Sequence, residues 1–207
     1  MVYFKAPPQE PSEGWVARLW DEQQANDPAQ RDHSCHMATV AGAVAMELGF
    51  RDVEVLKIQL AGQFHDVGKL DLPHDVLYAP RRLTAEEMVL IREHSILGSR
   101  RLRKFDDTPV LSFVEDVAHH HHERFDGSGY PDGLVGAAAS FPSRIAAACD
   151  VYSAMWERRV YKPAMSHDEV LDRLARGDER MHPAMFDPDV LVALKDAQAL
   201  IRKVLPD

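Results

Sequence analysis

Apolar residues recur at helical spacing along most of the chain. Trp15, Val16, Leu19 and Trp20 predict a helix over 13–25. Met37, Val40, Val44 and Leu48 predict a second over 33–49, which Gly49 stops. Val53, Val55, Leu56, Ile58 and Leu60 predict a third over 52–64, running into His65-Asp66. Polar punctuation marks later starts. Thr84-Ala85-Glu86-Glu87 and Ser166-His167-Asp168-Glu169 are capping boxes, in which hydroxyl and carboxylate satisfy first-turn N–H groups reciprocally. Thr108-Pro109 and Asp187-Pro188 set a cap residue before a proline, whose missing N–H is harmless at the first helical position. The first of these opens a helix over 109–121.

Between 123 and 143 the pattern breaks. Gly127, Gly129, Pro131, Gly133, Gly136 and Pro142 predict one long loop, and such loops inside compact domains are commonly functional. Residues 1–12 are Pro-rich and predicted irregular. Strand-type alternation is absent, so the predicted fold is all-α. The length fits one domain with a short arm: an N-terminal arm over 1–30 with a short helix, and the domain over 31–207. The arm helix either packs on the core or forms a homodimer face.

Composition narrows the function classes. A hydrophobic fraction of 45% is enough for a real core. The net charge of −9 argues against broad binding of long nucleic acid, which needs a basic surface. It leaves room for a small anionic ligand, because a metal and a few placed cations reverse the sign locally. No apolar run can span a bilayer and no signal-peptide pattern opens the chain, so the expected setting is the cytoplasm, away from membranes. Cys35 and Cys149 lie in no metal-type spacing and read as buried reduced thiols. Arg100, Arg101, Arg103 and Lys104 read as a solvated face.

Histidine changes the picture: the chain holds 11. His65-Asp66 offers an imidazole and a carboxylate, both suited to a divalent first-row metal. One such dipeptide is uninformative. With His33, His94, His121, His122 and Asp150 added, five histidines and two aspartates sit at helix ends or on helix faces. That number suits two ions that share a water, and Asp66 has two oxygens with which to bridge them.

The stretch His121-His122-Glu123-Arg124-Phe125-Asp126-Gly127-Ser128-Gly129-Tyr130-Pro131-Asp132-Gly133-Leu134 closely resembles the signature of the HD-GYP phosphodiesterases. His65-Asp66-Val67-Gly68-Lys69 resembles the HD motif of that family. Asp150-Val151-Tyr152, Arg159 with Tyr161-Lys162-Pro163, Phe186-Asp187-Pro188 and His33-Ser34 are similar to further family segments, in the right order. The resemblance spans roughly residues 31–200. It implies an HD-type helical bundle with a long Gly-rich loop. It implies a metal-dependent hydrolase that opens cyclic di-GMP to the linear dinucleotide pGpG, and sometimes on to GMP. It also implies roles. His33, His65, Asp66, His94, His121, His122 and Asp150 match ligands of two divalent ions, iron or manganese, with Asp66 bridging. Lys69 reaches a phosphate oxygen, Tyr130 touches substrate, and Arg159 and Lys162 hold the distal half of the dinucleotide.

Departures from the family pattern refine this. Ala29 stands where many members have a glutamate that helps hold a third ion, so two ions are expected. Ser153 replaces a frequent aspartate, and Ser95 a frequent proline. His119 and His120 extend the ligand pair into a run of four and match no ligand. His36, one turn from His33, is also left out of the site. Glu123 and Asp126 are placed to orient imidazoles from behind. His74, His167 and His182 read as surface residues. Two alternatives stay open: an HD hydrolase acting on another cyclic dinucleotide, and a catalytically silent nucleotide-binding adaptor.

Overall fold

A computed structural model describes residues 14–105, 108–157 and 164–206, with backbone alone at Pro28 and Ala29. Among them run eleven α-helices: α1 (Gly14–Asn26), α2 (Pro28–Glu47), α3 (Asp52–Phe64), α4 (His74–Leu77), α5 (Ala85–Arg92), α6 (His94–Leu102), α7 (Pro109–His120), α8 (Phe141–Trp156), α9 (His167–Arg176), α10 (Pro188–Asp196) and α11 (Gln198–Val204). No strand occurs among these residues, only a single antiparallel bridge between Asp126 and Val135. The all-α prediction holds. No helix among the described residues is long and apolar enough to cross a membrane.

Helix α2 is the axis, packed against α3 on one side and α8 on the other; α3 then meets α7, and α7 meets α6. Met37, Val40 and Val44 of α2, Phe64 of α3, Val114 of α7 and Ile145 and Tyr152 of α8 are fully buried in one shared core. Each fully buried side chain of this size stabilises the fold by about 1.5–3 kcal/mol. The free thiols of Cys35 and Cys149 are buried, as expected.

The caps explain most of the boundaries. Thr84 and Ser166 accept from the N–H groups of Glu87 and Glu169 in complete capping boxes. Thr108 and Asp187 cap α7 and α10 ahead of their prolines. Helix α2 starts five residues before the predicted 33, because Asp27 accepts from Gln30 N–H at 3.0 Å and Pro28 opens the helix. The expected loop over 123–143 is also shorter. Ser140 caps α8, and Pro142 sits in its first turn rather than breaking a helix.

Helix α1 puts Trp15, Val16 and Leu19 into the chain's own core, with the Trp15 ring 5.6 Å from Phe64 and 6.4 Å from Phe105. Arg101 is not part of a solvated face: it binds Glu22 of α1 and Asp71, tying α1 to the 3-10 turn Val67–Asp71. His167 is not a surface residue either. It is fully buried, its ring stacked on Trp156 at 5.3 Å, its Nε2 2.7 Å from the Leu205 carbonyl. His74 and His182 are exposed as expected.

Gly68 fixes the depth of the site. A Cβ there would lie 1.9 Å from the His94 carbonyl and 2.3 Å from Gly98 N. Only glycine lets the 3-10 turn press onto α6, and that approach sets Asp66 beside His94.

Candidate metal centre

Seven side chains from five places converge. His33 comes from α2, His65 caps the C-terminus of α3, and Asp66 follows it. His94 opens α6, His121 and His122 follow α7, and Asp150 lies in α8. His65 and His121 are fully buried, His94 and Asp66 almost so.

Asp66 stands at the centre, with its two oxygens turned to different partners. Oδ1 lies 3.1 Å from His94 Nε2 and 3.6 Å from His121 Nε2. Oδ2 lies 3.1 Å from His65 Nε2 and 2.5 Å from Lys69 Nζ, and accepts from Gln30 Nε2 at 2.7 Å. Two donor groups able to hold a cation therefore share this carboxylate: Asp66 with His94, His121 and His122, and Asp66 with His33 and His65. Asp150 Oδ1 reaches His33 Nε2 at 3.1 Å and His65 Nε2 at 3.8 Å, and its Oδ2 lies 3.9 Å from His122 Nδ1.

The rings are held from behind. His65 Nδ1 donates to the Gly62 carbonyl at 2.7 Å and His94 Nδ1 to that of Ile91 at 2.7 Å. His121 Nδ1 faces the Val117 and Ala118 carbonyls at 3.2 and 3.0 Å. A backbone acceptor on one ring nitrogen sets the tautomer and aims the other nitrogen's lone pair inward. His33 differs: its Nδ1 is held by the Glu157 carboxylate at 3.0 and 3.1 Å.

Electrostatics favour a cation here. Burial pushes His121 down to about 4, and burial with the neighbouring His121 pushes His122 well below the ordinary range, so both rings are neutral. Burial opposes ionisation of Asp66 and Asp150. Lys69, His65 and His121 nevertheless hold Asp66 well below the carboxylate range, and His33, His65 and His122 do the same for Asp150. His65 Nε2 and Asp66 Oδ1 are buried with no hydrogen-bond partner among the described residues, and His94 Nε2 faces His121 Nε2 at 3.2 Å. Buried lone pairs left unmatched are costly, and an ion satisfies them. The residues fit a divalent metal, and the nitrogen-rich set suits iron, manganese or zinc better than magnesium.

The remaining expected site residues divide. Tyr130 covers the centre: its ring lies 4.7 Å from that of His122, tilted by 30°, and Arg92 lies 5.1 Å over it. Arg159 and Lys162 lie outside the described residues. Glu123 and Asp126 do not orient imidazoles. Glu123 accepts from the N–H groups of Asp132, Gly133 and Leu134 at 2.7–3.1 Å, and Asp126 from Ser128, so both shape the Gly-rich loop. Gly129 lets that loop close on its own root, since a Cβ would lie 2.3 Å from Arg124 N.

Two contributors were missed. Glu157 grips His33 and also binds His36 Nδ1 at 2.9 Å. It lies seven residues after Asp150, two helical turns along one face, and that spacing was a usable signal. Gln30, three before His33, contacts both Asp66 and Lys69. Beside the centre opens a cleft of about 180 Å³ lined by Gln23, Asn26, Asp27, Gln30, Lys69 and Tyr78.

The HD domain family profile matches residues 20–190. The cyclic di-GMP phosphodiesterase response regulator RpfG of Xanthomonas campestris is 38% identical over 172 residues, 81% of this chain and 43% of the relative. The 3'3'-cGAMP-specific phosphodiesterase 1 of Vibrio cholerae is 40% identical over 141 residues, 68% of this chain and 32% of the relative. The chain thus spans less than half the length of these curated relatives. Among solved structures, the HD domain of L. monocytogenes phosphodiesterase PgpH in complex with cyclic-di-AMP shares the fold, with a TM-score of 0.60 at 17% identity over 92% of this chain and 98% of that one. By its profile match over most of its length and its 38% identity to RpfG, the chain belongs to the HD domain family, in the HD-GYP group.

Proposed function

We propose that the chain is a metal-dependent phosphodiesterase that opens cyclic di-GMP to pGpG, with GMP as a further product. The observation that carries the reading is Asp66, whose two oxygens serve two separate groups of histidines. On this reading His33 and His65, with Asp150, hold one divalent ion, and His94, His121 and His122 hold the other. Asp66 would be shared between them, and the ions would be iron or manganese. With Ala29 in place of a glutamate, two ions are expected rather than three.

When bound, the pair of ions supplies Lewis-acid activation of water and of the scissile phosphate. The chain's own residues do the rest. Lys69, whose ammonium lies beside Asp66, turns to a phosphate oxygen and neutralises charge as it builds there. Tyr130 closes the centre against solvent and contacts the substrate. The carboxylate and carboxamides of Asp27, Gln23, Asn26 and Gln30 in the adjoining cleft suit the N–H edge of a guanine. Arg159 and Lys162 keep their proposed role on the distal phosphate and base.

The test is elemental analysis of protein purified without chelator, together with hydrolysis of cyclic di-GMP under added manganese or ferrous iron. Two metals per chain with pGpG or GMP released is the expected result. Two metals without turnover of this substrate points to the second reading, 3'3'-cGAMP, which the relative at 40% identity favours. No metal under any loading leaves the silent adaptor.

A further inference from the structure

The run His119-His120-His121-His122 serves two places. His121 and His122 enter the buried centre; His119 and His120 turn outward to the Gly-rich loop. His119 Nε2 lies 3.3 Å from Asp132 Oδ2, and His120 Nε2 lies 3.1 Å from the same oxygen. The rings are 4.6 Å apart, and the three donor atoms lie within 4.8 Å of one another. A tetrahedral zinc ion with ligands at about 2.0–2.1 Å sets its donor atoms roughly 3.3 Å apart, so the spacing to Asp132 already matches a coordination edge.

The second layer is also present. His120 Nδ1 donates to Asp116 Oδ1 at 2.9 Å, and the other Asp116 oxygen accepts from Ser140 Oγ at 2.5 Å and Ser143 Oγ at 3.1 Å. A carboxylate that fixes one imidazole nitrogen, and is itself fixed, is the arrangement that aims the other nitrogen at a metal. None of these residues belongs to the set around Asp66.

We propose that His119, His120 and Asp132 form a second, peripheral metal site for a borderline transition ion such as zinc. Two imidazoles and one carboxylate leave a fourth position open to water. Asp132 follows Tyr130-Pro131 in the Gly-rich loop, so an ion held here staples that loop to the end of α7. The loop's other anchor is Glu123, which takes the N–H groups of Asp132, Gly133 and Leu134. The inference does not depend on the proposed function, because its readout is bound zinc rather than turnover.

The experiment is zinc titration by calorimetry, with elemental analysis after gel filtration, on the full chain and on three variants. These are His119→Ala/His120→Ala, Asp132→Asn and His65→Ala/Asp66→Ala. Expected is one zinc fewer per chain in the double-histidine variant, and an affinity for that zinc weakened by tenfold or more in Asp132→Asn. Asp132 is half exposed, so this variant keeps its fold. The His65→Ala/Asp66→Ala variant should keep the peripheral zinc while losing metal at the buried centre. Equal zinc stoichiometry in the wild type and the double-histidine variant overturns the proposal. So does a chain that binds zinc only through the residues around Asp66.

Discussion

His121-His122 and His119-His120 are adjacent pairs of one residue type at one helix end, and they meet opposite surroundings. Of the inner pair, His121 is fully buried with its Nδ1 held by main-chain carbonyls, and His122 faces the buried centre. The outer rings keep about a fifth of their surface, and their partners are the side chains of Asp116 and Asp132, with the Asp116 carbonyl also 3.1 Å from His120 Nδ1. Helix α7 ends at His120, so the turn of the backbone, not composition, divides the run. The lesson concerns preorganisation. A carbonyl of the helix itself cannot swing away, so the His121 ring is fixed before any ion arrives. The outer rings turn their Nε2 atoms to a half-exposed aspartate in a loop.

The largest expected effect tests that division directly. On the proposed function, His121→Ala/His122→Ala should strip the buried centre of metal and lower cyclic dinucleotide hydrolysis by more than about a thousandfold, since such ions supply several kcal/mol of transition-state stabilisation. His119→Ala/His120→Ala should leave both the buried metals and turnover within about twofold. Elemental analysis and a product assay read both. Loss of the buried metals in the outer variant would erase the distinction between the pairs.

Gly129→Ala comes next, because it strikes the element common to both pairs. The added Cβ has nowhere to go, at 2.3 Å from Arg124 N and 2.5 Å from the His122 carbonyl. Overpacking of this kind costs about 1–3 kcal/mol. The urea midpoint should fall, and binding of the peripheral zinc should weaken with it as Asp132 shifts. A variant as stable as the wild type would mean that the loop root has slack, and that the outer pair is not fixed by it.

Much of this was legible in the sequence where a rule is local. Helix α3 runs Asp52–Phe64, as its apolar spacing predicts, and the capping boxes at Thr84 and Ser166 fall where the hydroxyl and glutamate stand. The seven clustered side chains were found through motif context, which substitutes for distances that a sequence does not contain. What escaped was set by tertiary contact. His167 looks like a surface residue at a helix start, and the approach of Tyr152, Trp156 and Leu205 buries it. Glu123 beside a histidine pair suggests a ring partner, yet the loop folds back and takes both of its oxygens. Arg101 stands in a basic run that suggests a solvated face, yet it is bound by Glu22, 79 positions away.

His33 is the hybrid case: an inward ring held by a carboxylate, as the outer rings are. Glu157→Gln should therefore lower metal affinity at the centre by about 10–100-fold, the usual effect of removing such a partner. Its pH dependence in the metal-free protein sharpens the point. Burial opposes a proton on His33, but Asp150 and Glu157 overcome it and raise the group from 6.5 to about 9. Stability from this shift is full below pH 6.5 and is lost as pH rises through about 9. Burial likewise opposes ionisation of Glu157, but His33 and His36 lower it from 4.5 to about 2. Its contribution is present above pH 4.5 and disappears as pH falls through about 2. The stability gap between wild type and Glu157→Gln should therefore be widest between pH 4.5 and 6.5 and narrow toward pH 9. Chemical denaturation in chelator across that range measures it, and a gap that does not change with pH would remove the His33–Glu157 pair from the account.

The smallest effect separates the two outer histidines from each other. His120 is held at Nδ1 by Asp116, whereas His119 Nδ1 is buried with no hydrogen-bond partner among the described residues. Removing His120 takes away a ring already aimed at Asp132. Removing His119 takes away a ring that no carboxylate holds at Nδ1, so less binding free energy is lost with it. His120→Ala should therefore weaken the peripheral zinc by several-fold more than His119→Ala, and neither should change the metal content of the buried centre. Calorimetric zinc titration of the two single variants decides it. Equal losses would mean that Asp116 does not preorganise His120, and the contrast between fixed and unfixed rings would then apply only to the inner pair.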